Sequence, residues 1–181
     1  MTYRIERHDG DLAGDDLLVT GPLGRALLLQ FFARHVDQVS RVVLSVGTDD
    51  VPELWGTDLA AHTEARVQHP QSPAPMARIL SLQGLAGLSA GPGAASVEVV
   101  GDALVSGLYR LQGDGGRLAV ERLPGGTPDA TMSVAGLSGL VYGVLDPVDV
   151  SVRGFGTVGP GAAGELRSLF PRASPYLFSD F

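Results

Sequence analysis

At 181 residues the chain has material for one ordinary domain or two small ones, and enough to bury a core without covalent staples. Hydrophobic residues make up 44% and charged residues 18%, a globular balance. The formal net charge of -7 sets the chain against phosphate backbones and anionic bilayers, so no nucleic-acid partner is expected. All 13 basic residues are Arg, and Lys, Cys and Asn are absent. Lysine nucleophiles and phosphate-binding lysines, thiol chemistry, disulfides, thiolate metal sites and N-glycosylation are therefore excluded within these residues.

The opening MTYRIERHDGDLAGDD has no apolar h-region of a secretory signal. The most apolar stretch, ALLLQFFA from Ala26 to Ala33, is far below the roughly 20 residues that span a bilayer. The expected location is the cytoplasm, with no membrane span.

In chain order, TYRIER near the N-terminus reads as a short edge strand, followed by a polar acidic loop with Asp9, Asp11, Asp15 and Asp16. Leu17–Thr20 is a further strand candidate. Pro22 suits a first helical turn, where its missing N–H costs nothing. Leu23, Ala26, Leu27, Gln30, Phe31 and Arg34 then recur at helical spacing, with Leu28, Leu29 and Phe32 widening the apolar arc. The pattern predicts a largely buried helix of about four turns. Ser40–Val46 is β-branched and apolar, a strand. An acidic stretch follows with a short helical piece, and then QSPAP, Gln71–Pro75, whose two prolines disfavour both regular structures and mark a domain boundary.

Beyond the boundary, MARILSL predicts a strand and QGLAGL a short helix, broken by Gly91-Pro92-Gly93. Ser96–Val100 alternates as a strand does. Leu104–Gln112 and Arg117–Leu123 flank Gly113-Asp114-Gly115-Gly116, a strong hairpin signal. Ala130–Ala135 predicts a strand and Gly136–Leu145 a short helix ended by Asp146-Pro147. Asp149–Arg153 reads as a strand or an extended link. A last helix is expected over Gly161–Phe170, and the tail PRASPYLFSDF carries too much proline to be helical.

Several short motifs invite chemistry. Gly87-Leu88-Ser89-Ala90-Gly91 has the form of a nucleophile elbow, but no helix starts through Gly91-Pro92-Gly93. Gly154-Phe155-Gly156-Thr157-Val158-Gly159 has the form of a dinucleotide loop, without a second parallel strand to follow. Two segments approach the acetyl-CoA pattern Q/R-x-x-G-x-G/A, whose purpose is a run of backbone N–H groups at a helix start facing the pyrophosphate. These are Gln112–Arg117 and Arg153–Val158, and both fail at the last position. His8, His35, His62 and His69 lack metalloprotease spacing, and His62-Thr63-Glu64 with His69 is the nearest approach to a ligand cluster. Asp49, Asp50, Glu53 and Asp58 read as a solvated acidic patch.

Taken in order, the segments resemble the carboxyl-terminal two-thirds of the Eis (enhanced intracellular survival) family of GNAT N-acetyltransferases. TYRIERHDG is similar to the strand that opens that family's second GNAT-like region, and LLVTGPLGRALLLQFFARHVDQVSRVVLSV to its strand, helix and next strand. TDDVPELWGTDLAA is similar to the segment that follows in the family. MARILSLQGLAGL resembles the start of its sterol-carrier-protein-like domain and GLYRLQGDGGRLAVERL the central hairpin. Tyr142-Gly143-Val144-Leu145 stands where the family has a Tyr-Leu-Gly-Gly element. FPRASPYLFSDF is similar to the family's short terminal tail.

The resemblance implies an α+β fold. A second GNAT-like region over 1–75, a half sheet with a helix, packs on a sterol-carrier-protein-like antiparallel sheet with helices over 76–181. It also implies that the C-terminal carboxylate of Phe181 is a general base on a substrate amine, with Asp180 holding the cation. A free α-carboxyl titrates near about 3.3–3.7, which burial and a neighbouring ammonium would have to offset. No cofactor is expected in this chain, because the family's acetyl-CoA loop lies in an N-terminal GNAT domain that these residues do not contain. A separate GNAT domain or a homo-oligomer is the expected partner, and a small-molecule amine the substrate. The alternative expectation is a stand-alone binding protein for a hydrophobic molecule or lipid, with Tyr109, Leu111, Val141 and Leu145 in the cavity wall beside Leu104, Leu108, Leu137 and Leu140. A third is an unrelated small enzyme on the same scaffold.

Overall fold

The computed structural model describes residues 2–5, 7–47, 49–56, 61–64 and 76–175. The chain divides into two compact units between Pro73 and Ala74.

In the first unit, β1 (Tyr3–Ile5), β2 (Gly10–Asp16) and β3 (Val39–Ser45) form a three-stranded sheet in that order. β1 runs antiparallel to β2, and β2 parallel to β3. A parallel neighbour needs a crossover, which α1 (Pro22–Ala33) supplies. The expected acidic loop is thus the central strand. Leu12 is fully buried, and Asp11 sits directly opposite Arg41 of β3. The Arg41 guanidinium donates to both Asp11 oxygens at 3.2 and 2.6 Å and holds that carboxyl below its usual pKa. An aspartate on a strand is tolerable when a cross-strand cation answers it. Leu17–Thr20 is not a strand, although Leu17 is buried.

Helix α1 forms where expected, three turns long rather than four, but with another face inward. Leu23 and Leu27 are 74% and 56% exposed, and Ala26, Gln30 and Arg34 are exposed with them. Phe32 is buried, and Leu28, Leu29 and Phe31 pack against the same small core of Leu12, Leu17 and Val39. A helix with apolar residues around most of its circumference has no unique inward stripe; the position of the sheet chooses one. Phe31 also meets the Tyr3 and His35 rings edge-on at 5.3 and 5.0 Å.

In the second unit, β4 (Gly93–Val100), β5 (Gly107–Asp114), β6 (Arg117–Leu123), β7 (Ala130–Ser133) and β8 (Gly156–Val158) form a sheet of order β6-β5-β4-β7-β8. The expected all-antiparallel arrangement is corrected by one pairing. After the β5–β6 hairpin the chain returns to the far side of β4 and lays β7 parallel to it. Alternation sends Ala95, Val97, Val99, Tyr109, Leu111 and Met132 to one face. There they meet Leu137 and Leu140 of α2 (Val134–Val141), Val150 of α3 (Pro147–Val152) and Leu166 and Leu169 of α4 (Pro160–Leu169). Each fully buried side chain of this size stabilises by about 1.5–3 kcal/mol relative to exposure. The hairpin closes on Gly115 and Gly116, with φ of 54° and 80°, the left-handed pair that a two-residue turn of this hand requires.

Met76–Leu82, expected as a strand, has no regular structure. It is tied down instead: the Ile79 N–H donates to Ser138 Oγ at 3.1 Å, Arg78 pairs with Asp102, and Ile79 and Leu82 enter the core. Asp149–Arg153 is neither a strand nor an extended link: Asp149–Val152 belong to α3 and Arg153 caps its end. Asp146 does not end a helix but caps one. Its side chain accepts from the Val148 N–H at 3.0 Å, while Asp149 accepts from the Asp146 N–H at 3.0 Å, a reciprocal capping box.

Candidate functional site

The short motifs lose their chemistry in the fold. Ser89 lies in an isolated antiparallel bridge with Arg117, with no strand-to-helix elbow beneath it. Within the second glycine-rich motif, Gly156 lies in β8. A Cβ there would stand 2.2 Å from the Thr131 carbonyl oxygen, so close pairing with β7 demands the glycine. Of the two acetyl-CoA-like segments, Gln112–Arg117 lies in the β5–β6 hairpin and Arg153–Val158 runs from the end of α3 into β8. Neither presents successive N–H groups at the start of a helix.

His8 lies 3.8 Å from Asp9, His35 lies within hydrogen-bond distance of Gln38 Oε1 at 3.3 Å, His62 is exposed, and His69 lies outside the described residues. Among the described residues, no group of three or more His, Cys, Asp or Glu is arranged to hold a metal ion. In the acidic patch, Asp50 pairs with Arg25 at 3.5 Å and accepts from the Gly47 N–H at 3.2 Å. Glu53 is held below its usual pKa by its own backbone N–H and the Thr63 hydroxyl. Asp58 lies outside the described residues.

Of the expected cavity wall, Tyr109, Leu111 and Leu145 are buried members of the second unit's core, and Val141 packs against it partly exposed. Leu137 and Leu140 join them. Leu104 is 66% exposed, and Leu108 points to the opposite face of β5 from Tyr109. The guanidinium of Arg122 lies 5.8 Å from the Tyr109 ring centre, covering the outer end of this core with a cation–π contact.

Phe181 and Asp180 lie outside the described residues. What is described is the base from which they extend, through Pro175. Helix α4 is anchored along its length: Glu165 accepts from the Ala94 N–H at 2.9 Å, and the Leu169 carbonyl accepts from the Gly91 N–H at 3.0 Å. A Cβ on Gly91 would stand 1.9 Å from the Ser168 carbonyl oxygen, so this glycine exists to let the helix end approach. Phe170, just past the helix, is buried.

The next residues are held against the turn between α2 and α3. The Ala173 N–H donates to the Gly143 carbonyl at 3.0 Å. Arg172 pairs with Asp149 at 3.4 Å, and Arg167 grips Asp146 with two hydrogen bonds of 2.7 and 2.8 Å. That fork-on-carboxylate geometry, followed by the Val148 N–H, lowers the Asp146 pKa to about 2. Sequence reasoning missed these four side chains as a group. The signal was present: Asp146-Pro147-Val148-Asp149 is a helix-start pattern, hidden by reading Asp-Pro as a stop.

No family model matches the chain, and no curated protein sequence matches it. Among solved structures, it is similar to a GCN5-related N-acetyltransferase from Kribbella flavida, with 21% identity and a TM-score of 0.71 over 99% of this chain and 45% of that one. It is also similar to a conserved protein of unknown function from Enterococcus faecalis V583, described as a probable N-acyltransferase, with 17% identity and a TM-score of 0.62 over 99% of this chain and 45% of that one. The chain thus spans less than half the length of either structure. At such identity the likeness is one of fold, and the fold is that of a portion of GNAT-type N-acetyltransferase structures.

Proposed function

We propose that this chain is a substrate-side module of an Eis-type amine N-acetyltransferase, and that the carboxylate of Phe181, assisted by Asp180, accepts the proton of the reacting amine. The observation that carries the reading is the fold match over 99% of the chain to 45% of a GCN5-related N-acetyltransferase. In this reading the remainder of the enzyme, a GNAT domain, brings acetyl-CoA; Gln112–Arg117 and Arg153–Val158, spent on a hairpin and on β8, leave those segments unsuited to the pyrophosphate. A terminal carboxylate is chemically suited to the substrate side. It is negative at neutral pH, attracts an ammonium and takes one proton from it, which frees the nitrogen lone pair to attack the acetyl carbonyl; the thioester C–S bond then breaks and CoA leaves as its thiol, with the second nitrogen proton passed on. Asp180 adds a second charge, which places a cationic amine without itself reacting.

The test uses the chain alone. Thiol release from acetyl-CoA with a polyamine or an aminoglycoside should stay at background; turnover would contradict the split of roles. Spermine binding measured by calorimetry should weaken at least about fivefold when Asp180 and Phe181 are deleted, because the Asp180 charge is lost and the terminal carboxylate moves back two residues to Ser179. Because the chain's net charge of -7 attracts any polycation, the comparison is made at about 0.15 M salt, where long-range attraction is screened beyond about 8 Å. Equal affinity of the two chains would overturn the proposal.

A further inference from the structure

We infer that the Arg122 guanidinium and the Tyr109 hydroxyl form a binding site for a small carboxylate within the second unit, separate from the role proposed for Phe181. Tyr109 and Arg122 are cross-strand partners on β5 and β6, so both side chains leave the same face of the sheet. Tyr109 is 2% exposed. Its hydroxyl has no hydrogen-bond partner among the described residues, where no side-chain oxygen is both enclosed and unbonded. The hydroxyl is therefore the part of Tyr109 that reaches the outside. A phenol held this way keeps its ring in the core and its donor open to a ligand.

Arg122 is exposed but held in place. Its Nη2 donates to the Ser106 carbonyl at 3.3 Å, and its guanidinium carbon lies 5.8 Å from the Tyr109 ring centre. Gly107 makes the room, with φ of 146° and no side chain. A Cβ there would stand 3.3 Å from Arg122 Nε and Nη2 and 3.4 Å from Tyr109 Cε2. Those three atoms border one small volume, and Cε2 is the ring carbon next to the one that bears the hydroxyl. The two donors are neighbours on that account.

Arg25, Arg41, Arg78, Arg167 and Arg172 each face an aspartate. Arg122 meets a carbonyl and a ring instead, which leave its charge unanswered. Asp102, four residues before Ser106, is taken up by Arg78 and by the Leu104 and Val105 N–H groups. One positive charge, a planar donor fork and a phenol O–H fit a planar monoanion: the fork takes carboxylate oxygens side by side and the phenol donates to one of them.

The probes are para-fluorobenzoate and its neutral isostere para-fluorobenzamide. 15N NMR of the arginine Nε groups reads the place of binding, and the 19F line of the probe reads affinity. The Arg122 Nε signal should move saturably with the benzoate and stay put with the benzamide. Tyr109→Phe should weaken benzoate binding at least about fivefold, the effect of one lost hydrogen bond to a charged group. Its melting temperature should not change, because that hydroxyl has no partner in the fold. Arg122→Lys should weaken binding at least about threefold through loss of the planar fork. Arg117→Ala removes the same charge from the far end of β6, where Arg117 bonds the Gly87 carbonyl; at about 0.15 M salt it should change affinity less than about twofold. An Arg122 signal that benzoate does not move, or a Tyr109→Phe chain that binds as tightly as the wild type, overturns the site. So does a Tyr109→Phe melting temperature lower by more than about 4 °C, the mark of a hydrogen bond lost from the fold. Benzamide acting like benzoate, or inorganic phosphate binding more tightly than benzoate, overturns the choice of a carboxylate.

Discussion

At the residue scale, the second unit is governed by where side chains are missing. Gly91 and Gly113 leave room for backbone to touch backbone, since a Cβ on either would stand 1.9 Å from a carbonyl oxygen. Gly91→Ala is expected to destabilise by about 2–3 kcal/mol or more, the upper end of overpacking costs because backbone must move. Urea unfolding would read it, with a loss below about 0.5 kcal/mol, the range of ordinary surface changes, contradicting the close approach. Nothing in the local pattern of Gly91-Pro92-Gly93 tells a breaker from a contact point; the partner is Ser168, 77 positions away by number, and only the folded chain supplies it.

Titration belongs to the same scale. Asp146 falls to about 2 in the folded chain, chiefly through Arg167, from an ordinary value near 3.8. A depressed folded pKa contributes stability that is present above the unfolded pKa and lost as pH falls through the folded one. Wild type and Asp146→Asn should therefore differ most in melting temperature above about pH 4, and converge by about pH 2. A difference that grows below pH 4 would contradict the assignment.

Among elements, the β5–β6 hairpin was the most legible. Alternating apolar residues flank a glycine-rich turn, and the register follows from both. Since Gly115 has φ 54°, Gly115→Asn should be tolerated within about 0.5 kcal/mol while Gly115→Val costs about 1 kcal/mol or more, as a left-handed position dictates. Equal melting temperatures for the two variants would speak against the turn. Less legible were β2, where Asp11 looked like a loop residue until Arg41 stood across from it, and α3, whose Asp146-Pro147 start has the composition of a stop. The inward face of α1 was illegible for a different reason. Leu23 and Leu27 are as apolar as Leu28 and Leu29, and periodicity cannot choose between faces that are both apolar.

On the scale of the whole molecule, the two units differ in how much core each holds. The second gathers a large cluster around Leu82, Tyr109, Leu111, Met132 and Leu166; the first gathers Leu12, Leu17, Phe32 and Val39. Residues 76–175 are expected to unfold cooperatively when produced alone, since a compact unit with its own core is the physical content of a domain. A non-cooperative urea transition would contradict that. The role proposed for the Phe181 carboxylate comes from resemblance alone, and Phe181 lies outside the described residues. Its described base, from Gly143 to Arg172, is a tertiary arrangement to which no single stretch of sequence points.

The central claim is that the end of this polypeptide meets the substrate amine. It is tested most directly with the chain labelled at phenylalanine carboxyl carbons with 13C, followed by NMR during a spermine titration at constant pH and salt. The terminal carboxyl signal of Phe181 should move saturably, and should stop moving when Asp180→Ala weakens amine binding. A signal that stays where it lies in the free peptide PRASPYLFSDF, at every spermine concentration, would contradict the account.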